Sequence, residues 1–159
     1  MFIQMKKVFL WSMMFGMLTF GLLACDDDDE EKVETPSETS ASYLGQMVVA
    51  YQGTNIPTDS VNVVANVNKD SSLVSLDWKK VKFVPQMPVT IDLSVPNITA
   101  KKESGKIVFA ADSIIPTMLG NEVAKYAASD IKGEIFGDSI SLSLKFGSFP
   151  TSYKGILKK

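Results

Sequence analysis

Between Ser139 and Phe146 the chain reads Ser-Ile-Ser-Leu-Ser-Leu-Lys-Phe, polar and apolar residues in strict alternation. Successive side chains of a strand point to opposite faces. Ile140, Leu142, Leu144 and Phe146 therefore share one face, and Ser139, Ser141, Ser143 and Lys145 share the other. A helix would scatter both sets around its axis. The same period returns in Val89-Thr90-Ile91-Asp92-Leu93-Ser94-Val95. It returns again where Val61, Val63, Ala65 and Val67 alternate with Asn62, Val64 and Asn66. Leu44–Tyr51 and Leu73–Trp78 are strand-like too. One wet and one apolar face per strand is the pattern of an antiparallel sheet with a single buried side.

The links between these runs are short. Glu103-Ser104-Gly105 predicts a hairpin between Ile98–Lys102 and Lys106–Ala110. Gly137-Asp138 predicts a two-residue turn joining Asp130–Phe136 to Ser139–Phe146. Ser152–Leu157 reads as the last strand. Met118–Ser129 is ambiguous: strand is preferred after Val123, with a short helix capped by Asn121 and running through Tyr126 as the alternative. About eight or nine short strands result. At this length such a meander closes into a barrel or folds on itself as a sandwich. Closure removes the sheet edges, so an all-β, small antiparallel up-and-down barrel of about eight strands is expected.

A different signal precedes this domain. Lys6 and Lys7 lead a run from Val8 to Ala24 that is apolar apart from Ser12 and Thr19, with Gly16 and Gly21 as breaks. That run is shorter than the roughly 20 residues a membrane-crossing helix needs. It ends on small Ala24 and is followed by acid, as a cleaved secretory signal is. Leu22-Leu23-Ala24-Cys25 resembles a bacterial lipobox. The resemblance implies that Cys25 becomes the mature N-terminus and carries a diacylglyceryl thioether, two chains being enough for stable anchoring. Next come Asp26, Asp27, Asp28, Asp29, Glu30 and Glu31, a like-charge block that stays solvated. The block resembles the acidic export signal of surface lipoproteins of Bacteroidetes, which implies display on the outer membrane, facing out. Lys32–Ser42, rich in Glu, Thr, Ser and Pro, reads as flexible tether. The expected organisation is a signal peptide over 1–24, a lipidated, disordered acidic tether over 25–42 and one domain over 43–159.

Composition removes several function classes. The chain has no histidine and no arginine, and Cys25 is its one cysteine. A histidine-based triad, a histidine-bearing zinc site, thiol chemistry in the domain and bidentate phosphate recognition are all excluded. The tether holds eight acids against one lysine, and the domain ten acids against thirteen lysines. Separated lysines of so small an excess are not a nucleic-acid footprint. No enzyme activity, metal or cofactor is expected. Asp77 and Asp92 fall among polar-face neighbours and read as solvated carboxylates. Asn97-Ile98-Thr99 fits a glycosylation sequon but reads as the start of a strand. Lys79, Lys80, Lys82, Lys158 and Lys159 read as solvated loop and terminal charges.

Four stretches carry a family resemblance: Tyr43-Leu44-Gly45, Gln86-Met87-Pro88-Val89, Val95-Pro96-Asn97-Ile98-Thr99, and Gly133 to Ile140. Over residues 43–159 the chain resembles the calycin-like (lipocalin-like) β-barrel domain of Bacteroidetes lipoproteins. Leu119–Asp130 departs from that pattern, being longer and richer in alanine than a plain strand pair. The resemblance implies a small barrel with room for a ligand, and it carries no catalytic residues. Trp78, Phe83, Phe109, Phe136 and Phe146 are the rings that would line an apolar cavity, or else fill a core. The expected function is a non-enzymatic, surface-anchored binding module for a small hydrophobic ligand. Its partners would be the membrane, through the lipid on Cys25, and that apolar ligand or an envelope protein. The alternative is a structural or accessory interaction protein of the outer membrane with a fully packed barrel and no small-molecule ligand.

Overall fold

The computed structural model describes residues 38–159. The signal peptide, Cys25, the acidic run and nearly all of the tether lie outside the described residues. Ten strands follow in order: β1 (Thr39–Tyr51), β2 (Thr54–Val67), β3 (Leu73–Val81), β4 (Ile91–Glu103), β5 (Lys106–Ile114), β6 (Thr117–Met118), β7 (Asn121–Glu122), β8 (Ala128–Phe136), β9 (Ser139–Phe146) and β10 (Phe149–Leu157). Each of β1 to β4 pairs with the next, β5 pairs with β8, β8 with β9, β9 with β10, and β10 with β1. Every pairing is antiparallel. These eight strands form a closed up-and-down barrel, as the alternation predicts. The small hairpin β6–β7 hangs on β4.

Tight turns set the register. Gln52-Gly53, Ser104-Gly105 and Leu119-Gly120 are two-residue loops in which both residues have positive φ, the geometry that matches the twist of the flanking strands. Gly137-Asp138 joins β8 to β9 with Phe136 opposite Ser139, as the sequence predicts. Sequence order and direction then place the start of β1, the β2–β3, β4–β5 and β8–β9 turns and the end of β10 at one end of the barrel, here the N-terminal end.

Four boundaries differ from the sequence reading. β1 opens at Thr39, inside the stretch read as tether. Thr39–Ser42 pairs with Val67–Val64, and Ser42 donates a 2.7 Å hydrogen bond to Asn62. β4 is one strand across Pro96-Asn97. Those two residues bulge opposite Ser75, with Asn97 at φ 55, so the sequon sits in a bulge rather than at a strand start. Val89 lies outside β4 and is exposed. Within 118–129 the preferred strand after Val123 is wrong: Ala124–Tyr126 is a single 3-10 turn, with no side-chain cap, and strand resumes at Ala128. A two-residue strand and a one-turn helix have no period to read, which is why this piece was ambiguous.

The core is the barrel interior. Tyr43, Met47, Val63, Ala65, Leu76, Val95, Ile98, Ile131, Ile140 and Leu142 are buried there with the aromatic rings described next. At about 25 cal/mol per Å2 of apolar surface, this burial is the main stabilising term, in a domain that has no cysteine to cross-link.

Candidate functional site

Four of the five rings singled out by sequence meet in the core. Trp78, Phe83, Phe109 and Phe146 are each at most 1% exposed. The Trp78 ring stands edge-on to Phe146 and to Tyr153, at 5.4 Å in both cases, and Phe83 lies 4.6 Å from Phe146. Edge-to-face packing of this kind adds to the area term. Phe83 comes from the loop after β3 and folds in, its backbone N–H 3.2 Å from the Met87 sulfur. Phe109 lies over Gly133 of the neighbouring strand. Phe136 is the correction. It is 60% exposed on the outer wall, because the inward positions of β8 are taken by Ile131, Gly133 and Ile135.

Two polar atoms inside this cluster show how full it is. The Tyr153 hydroxyl lies 2.9 Å from the carbonyl oxygen of Tyr43 and 3.1 Å from that of Val61, one proton facing two acceptors. Burial pushes the Tyr153 phenol well above its ordinary range. The Trp78 indole Nε1 is buried and, among the described residues, has no hydrogen-bond partner. A Cβ on Gly155 would lie 2.8 Å from two carbons of the Tyr153 ring. This glycine leaves the space that the ring fills.

At the N-terminal end of the barrel the packing opens. A pocket of about 190 Å3 is walled by Ala41, Tyr43, Val67, Ile107 and Ile135, with Lys69 and Asn68 at its rim. Burial, and secondly the charge of Asp138, raise the Tyr43 phenol above its ordinary range.

The outer wall carries larger hollows. A shallow groove of about 680 Å3 runs over β5, β8, β9 and β10. A second, of about 330 Å3, continues across β10 to β1 and shares Ser141 and Lys154 with the first. The strand register arranges this wall in rows. One row is Phe136, Ser139, Ile156 and Leu44; the next is Glu134, Ser141, Lys154 and Gln46; the third is Lys132, Ser143, Ser152 and Val48. Phe136, Ile156 and Leu44 are exposed apolar side chains. Glu134 is held by Lys106 at 2.7 Å, and that contact raises the lysine's affinity for its proton. Lys145 is paired with Asp130 at 2.7 Å, and its ammonium holds that carboxyl below the usual carboxylate range. Sequence reasoning missed this wall. The alternating serines of β9 were visible, but which lysines stand beside them depends on the register of three strands.

The remaining candidates stay apart from it. Asp77 accepts a 3.1 Å hydrogen bond from Asn66, and Asp92 accepts one of 2.8 Å from the Lys80 backbone. Both line a hollow of about 210 Å3 beside Lys79, whose Nζ is 4.0 Å from Asp92. Among the described residues no three acidic, histidine or cysteine side chains come together as a metal site would require. Against protein-family models, curated proteins and solved structures the chain has no match.

Proposed function

We propose that this chain is a lipid-anchored, non-enzymatic binding module whose barrel is a packed scaffold and whose outer wall makes the contacts. On this reading Cys25 holds it to the outer membrane and the acidic run directs it outward. It is a calycin-like domain of the kind borne by Bacteroidetes lipoproteins. The observation that carries the reading is the filled interior: Trp78, Phe83, Phe146 and Tyr153 occupy the space where a ligand would lie. Eight-stranded barrels have room for packed side chains or for one small ligand. Titration with an apolar fluorescent probe and with a medium-chain fatty acid tests it. No saturable binding is expected. Saturable binding that a Trp78→Ala substitution abolishes would overturn the packed-scaffold reading.

A second reading rests on the apolar pocket at the N-terminal end. Its volume of about 190 Å3 is below the roughly 300 Å3 at which small-molecule sites begin, and suits one short apolar group. Probe binding that an Ile107→Trp plug removes, with Trp78 intact, would favour this reading over the first.

A further inference from the structure

We infer that the outer wall of β8, β9 and β10 binds an acidic oligosaccharide. This deepens the binding-module reading above and rests on it. The argument begins with hydrogen-bonding capacity. Ser141, Ser143 and Ser152 face the larger groove, and among the described residues their hydroxyls have no protein partner. Lys132 and Lys154 face it as well and, among the described residues, have no carboxylate within 4.0 Å. The other lysines about this wall are engaged: Lys101 with Glu103, Lys106 with Glu134 and Lys145 with Asp130. Glu134 is the one acid lining the groove, and Lys106 neutralises it. What is left is a patch of donors with its acceptor already occupied.

Register fixes the spacing. Lys132 stands opposite Ser143, and Lys154 opposite Ser141. Strands lie about 4.8 Å apart and rows about 6.8 Å apart, which puts the backbones of the two lysines about 12 Å from each other with the serines between them. Long lysine side chains can converge over that floor on one anionic group or spread over two. Lysine is a point charge with three donors, so carboxylate and sulfate are both acceptable. The outward side chains beneath the groove are short, Val108, Ala110 and the serines, so a flat ring can approach the wall. One row away, Phe136 offers an exposed aromatic face, with Ser139 between it and exposed Ile156. An aromatic face next to hydroxyl and ammonium donors suits a sugar ring, which has apolar C–H faces and an oxygen-rich edge. An acidic peptide would use the lysines but would leave the serine hydroxyls largely unused. A groove of about 680 Å3 lies within the range of small-ligand sites, about 300–1,000 Å3.

The test is isothermal titration of the Cys25→Ser chain, expressed without residues 1–24 and so never lipidated, with a trimer of galacturonic acid. A neutral galactose trimer and a short polyglutamate serve as comparisons. The acidic sugar should bind, weakening as salt rises, and the neutral sugar should bind at least tenfold more weakly. Lys132→Gln with Lys154→Gln should lower affinity at least tenfold, Phe136→Ser about fivefold, and Lys80→Gln at the other end of the barrel not at all. Thermal melting checks that each variant is folded. Equal binding of the neutral sugar, tighter binding of polyglutamate, or full affinity in the double lysine variant would overturn the inference. If no sugar binds but an envelope partner is still retained by the wild-type wall, the sugar assignment alone fails. Loss of that partner only on substitution inside the barrel would overturn the binding-module reading itself.

Discussion

Phe109 and Gly133 face each other across β5 and β8, and the phenylalanine ring occupies the space a side chain on residue 133 would need. A Cβ there would lie 2.5 Å from Phe109 Cε2 and 2.8 Å from Leu142 Cβ, and nearer still to Phe109 Cζ. The glycine weakens its own strand and is offset by the ring laid over it.

Gly133→Ala is therefore expected to destabilise. Replacing a strand glycine by alanine gains about 0.5–1 kcal/mol of chain entropy. Forcing a methyl into a packed core costs about 1–3 kcal/mol, so the clash wins. Urea unfolding should show the loss, and a Phe109→Leu partner change should recover part of it. A Gly133→Ala protein as stable as the parent would mean that the ring is not seated on the glycine.

The Tyr153 hydroxyl faces the Tyr43 and Val61 carbonyls in a buried site. Tyr153→Phe leaves both oxygens without that donor and should cost about 1–3 kcal/mol. The phenols of Tyr153 and Tyr43 also make stability fall in alkali. Both are raised above 10.0 in the folded chain. The unfolded chain thus loses these protons first, and stability is complete below about pH 10 and declines above it. Denaturation midpoints from pH 8 to 11 should be flat and then drop. In Tyr153→Phe the drop should be shallower, and an equally steep one would remove Tyr153 as its source.

β9 was legible because each of its residues takes a clear side. Leu142 is 5% exposed and Ser143 on the other face is exposed. Leu142→Ala should cost about 2–5 kcal/mol, and Ser143→Ala should change little. Thermal or urea midpoints decide it, and similar losses for the two would contradict the assigned faces.

Phe136 was not legible for a physical reason. It follows Ile135, so two apolar residues in a row leave the phase of the strand open. A register shift between Ser129 and Lys132, with Asp130 at φ 52, resets the phase of β8 and sends Ile131 and Ile135 inward. Sequence alternation cannot see a bulge of this kind, since its residues carry no turn chemistry beyond one aspartate. The same holds for the wall: Lys132, Ser143 and Ser152 are far apart in sequence and share a row only through two strand registers. Closure of the barrel, by contrast, followed from having many half-buried strands with nothing else to cover their edges.

The last prediction concerns the chain before Thr39. If Cys25 is the lipid site, Cys25→Ser should accumulate as an uncleaved precursor that takes up no labelled palmitate. Replacing Asp26 to Glu31 by alanine should keep the label but shield the domain from protease added to whole cells. The two changes separate anchoring from display, because the first removes the covalent attachment and the second only its neighbouring charge. β1 pairs with β2 from Thr39 onward, so residues before it are not needed for barrel closure. Both variants should therefore melt like the parent domain. Labelling of the Cys25→Ser protein would refute lipidation at this residue. Unchanged protease access in the alanine variant would refute the export role and leave the anchor standing.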